Sequence, residues 1–198
     1  SEFGRSNEVL KFGDLPTPEP KDGEVLVKLH FSGVNPSDSK ARAGNRPGVL
    51  KPQFDIIIPN SDGSGEITKI GKGVDKKRLG QKVWVWNGQW QRPNGTAAEY
   101  IALPSAQAVE MPESMSFETG AYLGIPGLTA SYCTLGDGAL GGKTVFVSGG
   151  AGAVGHTCVQ LAKWSGATVS HQFFHAIAVT AYSKRSNQRR LKLYHYTI

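Results

Sequence analysis

Cysteine is scarce in this 198-residue chain, in which it occurs only at Cys133 and Cys158. Two thiols that are 25 residues apart match no redox or metal-ligand spacing. We interpret both as small apolar core residues in a reducing compartment. Long apolar runs are also missing, because no stretch approaches the roughly 18 residues that span a bilayer. No secretory signal opens the sequence, so we predict a cytoplasmic protein without a membrane partner.

Acidic residues are missing from the C-terminal segment, residues 170–198. Residues 1–169 contain all 16 acidic residues and 17 of the 22 basic ones, which leaves this body with a net charge of only +1. The segment 170–198 therefore carries +5 of the overall +6 and is predicted to be a separate basic tail. Its basic residues are Lys184, Arg185, Arg189, Arg190 and Lys192.

Short apolar segments separated by turn residues dominate residues 1–120. A strand is predicted over 24–32, with one face formed by Val25, Val27, Leu29 and Phe31. Asn35 and Pro36 then predict the start of a short helix that Gly44 ends. After a glycine-rich bend a strand is expected over 66–70, and "LGQKVWVW" and "GTAAEYIAL" are two further strand candidates. This spacing predicts a barrel-like β domain.

The hydrophobic period changes in residues 121–169. A helical pattern is formed by Leu123, Leu128, Tyr132 and Leu135. The segment "KTVFVSGG" is typical of a buried strand, 153–165 of a helix capped by Gly166, and "ATV" of a second parallel strand. We therefore predict an α/β fold with a β-rich part, in which residues 121–169 contain a helix and the beginning of a parallel βαβ unit.

Gly150, Gly152 and Gly155 form a G-x-G-x-x-G turn between the predicted strand and helix. Such glycines permit a tight turn, let a pyrophosphate approach the backbone and let the helix pack close to the strand. The N–H groups at the start of the helix then face the phosphates. The pattern favours dinucleotide binding, and the alternative is a purely structural glycine turn.

Several motifs together resemble a known family. In chain order they are "EVLVKLHFSGVNPSDSKARAG", "DGSGEITKIGKGV", "GQKVW", "GTAAEYIALP", "GAYLGIPGLTASYCTL" and "VFVSGGAGAVG". They resemble the zinc-independent quinone oxidoreductases (ζ-crystallin-like) of the medium-chain dehydrogenase/reductase superfamily, over roughly residues 8–169. The resemblance implies a GroES-like β-barrel domain over 1–120, followed by an incomplete Rossmann domain, with NADPH between them. It also implies hydride transfer to a quinone or a conjugated carbonyl compound.

The resemblance assigns cofactor contacts to particular residues. Asn35 matches an asparagine that lines the nicotinamide side of the cleft, although an N-cap role, or both roles, is open. Thr129 matches a threonine that contacts the cofactor near the nicotinamide, and the alternative is an ordinary residue at the start of a helix. The pyrophosphate turn is matched by Gly149, Gly150, Gly152, Ala153, Val154 and Gly155. No catalytic residue is assigned.

The chain also departs from related patterns. A zinc alcohol dehydrogenase of the same superfamily would have Cys within "VNPSD" and Gly-His-Glu within "NSDGSG", so no metal site is predicted. Active-site tyrosines that often follow the first helix in quinone reductases are missing from "AGNRPGVLKPQF", and the substrate is undetermined. His30 and His156 are interpreted as core or surface residues. We interpret Trp84, Trp86 and Trp90 as packing or cleft-wall residues.

The tail leaves two classes of function open. One is an NADPH-dependent reductase of quinones or activated alkenes, of which this chain is an incomplete form with little activity alone. The other is a non-catalytic GroES-like interaction or RNA-binding module with the basic tail as its contact. The tail itself is explained by a frameshift, an alternative exon or a mispredicted terminus, by selection for a basic contact, or by a short variant that completes its sheet as a homodimer.

Overall fold

A computed structural model describes residues 2–172 and 192–193 of the chain. The chain divides into two compact units, Ser1–Ile125 and Pro126–Ile198. The predicted basic tail therefore lies outside the described residues, apart from its first residues up to Gln172 and the pair Lys192 and Leu193. Among the helices that are described, none combines the length and the apolar character that a membrane span requires.

The first unit is built on five antiparallel strands in the order β4-β1-β2-β3-β5. The strands are β1 (Glu24–Gly33), β2 (Asp62–Ile70), β3 (Lys82–Val85), β4 (Tyr100–Pro104) and β5 (Ala108–Glu110). The helices are α1 (Ser6–Val9), α2 (Pro36–Arg42) and α3 (Phe117–Ala121), with 3-10 turns at Lys76–Arg78 and Ser105–Gln107. The predicted strands are confirmed, and β5 is an additional strand that the sequence pattern did not indicate.

The core of the first unit lies on one face of this sheet. Its members are small β-branched and aliphatic side chains from all five strands: Val25, Val27, Ile67, Val83, Val85, Ile101, Leu103 and Ala108. Phe31 was predicted on the same face, and this is wrong, since its side chain is exposed. The pairing of β1 with β2 shifts between Leu29 and Phe31. This bulge at His30 turns Phe31 to the opposite face of the sheet.

The glycine-rich segment at residues 62–65 is part of strand β2 and not the predicted bend. A Cβ on Gly65 would lie 2.0 Å from the carbonyl oxygen of Lys28, and one on Gly63 would lie 2.9 Å from that of Phe31. Glycine is needed here because the backbone of β1 passes too close for a side chain. Gly63 and Gly65 are therefore explained by the close pairing of β1 with β2 and not by a bend.

The second unit contains a parallel βαβ element. Strand β6 (Thr144–Ser148), helix α5 (Ala153–Trp164) and strand β7 (Thr168–Gln172) follow one another, as predicted, and Gly166 adopts the left-handed φ of +83° after the helix. The pair β8 (Lys192–Leu193) adds to the other edge of β6, which gives the order β7-β6-β8. The buried hydrophobic cluster of this unit consists of Leu140, Val145, Val147 and Ala162. The predicted fold class is confirmed.

The predicted helical pattern before β6 is confirmed, but the large side chains of α4 are not its most buried ones. A π-helical turn at Leu123–Gly127 leads into α4 (Leu128–Leu135), where Leu128 and Tyr132 are exposed and Ala130 and Thr134 are buried. Small side chains allow α4 to approach α5, where the Cys158 thiol lies 3.9 Å from the carbonyl oxygen of Ala130. The interpretation of the cysteines as core residues holds only in part, because Cys133 and Cys158 are half-buried free thiols.

Candidate functional site

The glycine turn follows strand β6 directly. Gly149 adopts a left-handed φ of +72°, which glycine reaches without the steric penalty of a Cβ. The amide of Gly150 donates to the carbonyl oxygen of Gln172 at 2.9 Å, and the amide of Gly152 donates to that of Gly149 at 3.0 Å. These two bonds tie the turn to the end of β7 and close it upon itself.

The packing of the turn requires glycine at position 155 and makes position 150 tight. A Cβ on Gly155 would lie 2.2 Å from the carbonyl oxygen of Gly149, and one on Gly150 would lie 3.1 Å from the Cβ of His171. Gly152 differs, because a Cβ there would meet only the carbonyl oxygen of Gly149 at 3.5 Å, an ordinary contact. Its φ of −75° is open to any residue. The fold therefore does not demand glycine at 152.

Helix α5 starts from this turn with its first N–H groups available. Gly152 is the N-cap, and the first bond of the helix runs from the amide of His156 to the carbonyl oxygen of Gly152 at 2.8 Å. The amides of Ala153, Val154 and Gly155 precede that bond and have no acceptor within the helix. Neither a capping side chain nor an acidic residue lies in the described first turn. The partial positive charge of the helix N-terminus is therefore left for an anion.

Asn35, in the first unit, takes part in a buried polar cluster that sequence reasoning did not predict. It is the N-cap residue of α2, as expected, and its backbone N–H donates to the Asp38 carboxylate at 2.7 Å. Its side-chain amide donates to Asp62 Oδ2, also at 2.7 Å. Asp62 is fully buried at the start of β2. The same Oδ2 atom accepts the backbone N–H of Ile125 at 2.7 Å.

Burial controls the electrostatics of this cluster. It raises the pKa of Asp62 from 3.8 to about 6, against the opposing effect of the Ile125 and Asn35 hydrogen bonds. The charge of Asp38 raises the pKa of Asp62 further, and burial also raises the pKa of Asp38. Asp62 Oδ1 has no hydrogen-bond partner among the described residues. Such a carboxylate is costly to keep ionised in the interior.

Asp62 lacked a signal that sequence reasoning could have used. Its partners lie 27 and 63 residues away along the chain, and no local spacing connects them. One indirect indication of this cluster was present in the sequence. Asn35 and Asp62 lie in the two segments where a zinc alcohol dehydrogenase would have its ligands. In the structure these two side chains bond to one another. Across residues 2–172 and 192–193, no three His, Cys, Asp or Glu side chains are grouped as a metal site would need.

The remaining candidate residues occupy less informative positions. Thr129 is the second residue of α4 and is half-buried, so both of its interpretations stay open. His30 and His156 are exposed, which agrees with their interpretation as core or surface residues. The ring of His30 stacks on Phe117 with centroids 4.2 Å apart. Of the three tryptophans, Trp84 and Trp86 are half-buried and Trp90 is exposed.

Comparison with known proteins identifies the class of this fold. Residues 21–113 match the alcohol dehydrogenase GroES-like domain family. The rat quinone oxidoreductase is 34% identical over 170 residues, which are 85% of this chain and 49% of that protein. The spinach chloroplastic quinone-oxidoreductase homolog is 31% identical over 169 residues, or 82% and 50% of the two chains. The chain thus spans about half the length of the curated relatives it matches.

Solved structures agree with this result. A mycobacterial protein in complex with NADPH superposes with a TM-score of 0.73 at 30% identity, over 88% of this chain and 52% of that one. The quinone oxidoreductase of Coxiella burnetii gives a TM-score of 0.72 at 33% identity, over 86% and 53%. A GroES-like unit followed by a Rossmann-type βαβ element defines the medium-chain dehydrogenase/reductase class. Within that class, the chain is similar to quinone oxidoreductases over more than 80% of its length.

Proposed function

We propose that this chain is an incomplete form of an NADPH-dependent reductase of quinones or activated alkenes, which binds the cofactor at its glycine turn and has little activity alone. The observation that supports it is Gly152, since the fold tolerates a side chain at that position although a pyrophosphate would not. A purely structural turn would gain at this position only the modest preference of helix N-caps for glycine. Dinucleotide-binding turns use their second glycine for close approach of the backbone to the pyrophosphate.

The proposed contacts divide between the two units. The pyrophosphate binds at Gly149, Gly150, Gly152 and Gly155, with the amides of Ala153 and Val154 donating to it. Asn35 and Thr129 contact the nicotinamide side of the cofactor. The domain limits 1–120, 121–169 and 170–198, a cytoplasmic location and a homodimer also remain proposals.

The proposed reaction needs few catalytic groups from the protein itself. The dihydronicotinamide supplies the hydride when it is bound, and the residues of this chain bind it, orient it and exclude water. A quinone accepts hydride readily and solvent can protonate the product. The family resemblance therefore requires neither zinc nor a dedicated acid and base pair.

The proposed preference for NADPH over NADH rests on the family resemblance, and the composition of strand β7 is compatible with it. In NAD-dependent proteins of this type, an acidic residue about 20 positions after the glycine turn binds the ribose 2′-hydroxyl. The described residues of β7, Thr168–Gln172, contain no carboxylate. A 2′-phosphate would therefore meet no repulsion from this strand.

The test is an NMR titration of the 198-residue chain with NADPH. We expect the amide signals of Gly150, Ala153 and Val154 to shift. Gly152→Ala should weaken this binding about tenfold, equal to about 1.4 kcal/mol, with a loss of stability of no more than about 1 kcal/mol from the poorer N-cap. Gly141→Ala is the matched control, because a Cβ there would lie 3.8 Å from its nearest neighbour, the carbonyl oxygen of Ser165. Equal affinities of Gly152→Ala and the wild type would contradict the proposal.

The alternative function gives a different result in the same assay. A GroES-like interaction or RNA-binding module needs no affinity for NADPH, so none of the three amide signals would shift. A labelled single-stranded RNA would then bind the wild-type chain with a strong dependence on salt. NADH that shifts the amides as strongly as NADPH would contradict the cofactor preference alone.

A further inference from the structure

The Asp62 carboxylate joins three separate segments of the first unit. Asp62 itself begins β2, Asn35 is the N-cap of α2, and Ile125 lies in the π-helical turn that follows α3. Both the Asn35 side-chain amide and the Ile125 backbone N–H donate to Oδ2 at 2.7 Å. One buried oxygen atom therefore fixes an amide side chain and a turn of the main chain.

Glycines allow these segments to approach so closely. A Cβ on Gly124 would lie 2.1 Å from Asp62 Oδ1, and a Cβ on Gly33 would lie 2.2 Å from the carbonyl oxygen of Ala121. The space around Oδ1 is thus filled by backbone, which leaves this oxygen without a partner among the described residues. A carboxylate held so tightly, at the cost of one unpaired oxygen, serves more than packing.

We propose that Asp62 is a positioning residue, whose ionised carboxylate sets the orientation of the Asn35 amide for the nicotinamide and holds the turn at Ile125. This rests on the proposed function through the role of Asn35. Because an ionised carboxylate only accepts hydrogen bonds, the end of the Asn35 amide that faces Asp62 Oδ2 is the nitrogen, which carries the N–H donors. The carbonyl oxygen of this amide is thereby directed away from Asp62.

Protonation of Asp62 would weaken both bonds at once. The pKa of Asp62, raised by burial to about 6, places this change just below neutral pH. From α2, the charged neighbour is Asp38, which is itself under the influence of Arg46. From the other contacting segments, Thr96 donates its hydroxyl to the Asp62 carbonyl oxygen at 2.6 Å, and residues 124–125 contribute only uncharged groups.

The first part of the test needs no variant and no cofactor. The Ile125 backbone amide and the Asn35 side-chain amide are followed by NMR from about pH 8 to about pH 5. We expect both signals to change with one common midpoint near pH 6. Asp62→Asn should abolish this titration, whereas Asp75→Asn should leave it unchanged. Asp75 is the matched control, because its carboxylate accepts the Lys77 N–H in an exposed turn. Signals that do not titrate, or that titrate independently, would overturn the proposal.

The second part separates positioning from a merely structural role. With NADPH at about pH 7.5, we expect nuclear Overhauser contacts between the nicotinamide protons and the Asn35 amide in the wild type. Asp62→Asn should lose these nicotinamide contacts and keep the NADPH-induced shifts of Ala153 and Val154. Unchanged nicotinamide contacts in Asp62→Asn would overturn the positioning role. If the amide signals of Ala153 and Val154 in the wild type did not shift with NADPH, the proposed function would be contradicted. The pH titration would still decide whether Asp62 sets the orientation of the Asn35 amide.

Discussion

The backbone of Gly155 packs directly against Gly149: a Cβ at position 155 would lie 2.2 Å from the carbonyl oxygen of Gly149 and 2.7 Å from its carbonyl carbon. The contact joins the first turn of α5 to the loop that leaves β6. Because both partners are backbone atoms, neither can move aside as a flexible side chain could. The close approach of β6 and α5 depends on the absence of a side chain at position 155.

Gly155→Ala is therefore expected to destabilise the chain by more than about 2 kcal/mol, in the range of overpacked or strained sites. Gly141→Ala should stay within about 0.5 kcal/mol of the wild type, and Gly152→Ala should cost no more than about 1 kcal/mol, because alanine is a poorer N-cap than glycine. Urea unfolding monitored by tryptophan fluorescence measures all three. Equal destabilisation by Gly155→Ala and Gly152→Ala would show that the turn is not packed as described.

The stability of the chain should depend on the ionisation of Asp62. Its pKa in the folded state is raised from 3.8 to about 6 by burial, so folding favours the protonated form. This contribution is fully present below about pH 4 and is lost as the pH rises through about 6. A shift of about 2 pKa units corresponds to about 3 kcal/mol.

Comparison with Asp62→Asn isolates this effect. Between about pH 4 and about pH 7, the free energy of unfolding of the wild type should fall by about 3 kcal/mol relative to that of the variant. Urea unfolding at several pH values gives both curves, and other titrating groups cancel in the difference. A wild type that gains stability over the variant as the pH rises would contradict the raised pKa.

The purified protein is expected to contain no stoichiometric zinc. The reason is the hydrogen bond of 2.7 Å between Asn35 and Asp62, which joins the two segments where a zinc alcohol dehydrogenase would have its ligands. An amide and a single carboxylate bonded to each other are a poor site for zinc, which prefers cysteine and histidine. Elemental analysis after dialysis measures the content, and one zinc ion per chain would refute the prediction.

The 198-residue chain by itself should show little quinone reductase activity. A Rossmann sheet has about six parallel strands and binds the dinucleotide where the strand order reverses. The described residues contain β6, β7 and the two-residue β8. We expect NADPH binding weaker than micromolar and very slow turnover with a simple quinone. Micromolar affinity with steady NADPH oxidation would contradict this and would indicate that the tail or a second copy completes the site.

Local features of the structure were largely determined by the sequence alone. The turn at Gly149–Gly155, helix α5 and the parallel strands β6 and β7 were predicted from a continuous stretch of residues. The start of α2 at Asn35 and Pro36 was predicted in the same way. These features depend on backbone preferences and on the hydrophobic period over a few residues. Such local preferences do not depend on which distant segments pack against them.

Other features were decided only by the tertiary structure. Phe31 is exposed next to the bulge at His30. The glycine-rich residues 62–65 are part of a strand because they pair with β1. In α4, Ala130 is buried and Leu128 is exposed. Each depends on which segment packs alongside, and this cannot be read from a local pattern. The same holds for Asp62, which meets Asn35 and Ile125 only after β2 pairs with β1 and the chain folds back along α3. Its raised pKa is a consequence of that burial, which no isolated aspartate in the sequence could reveal.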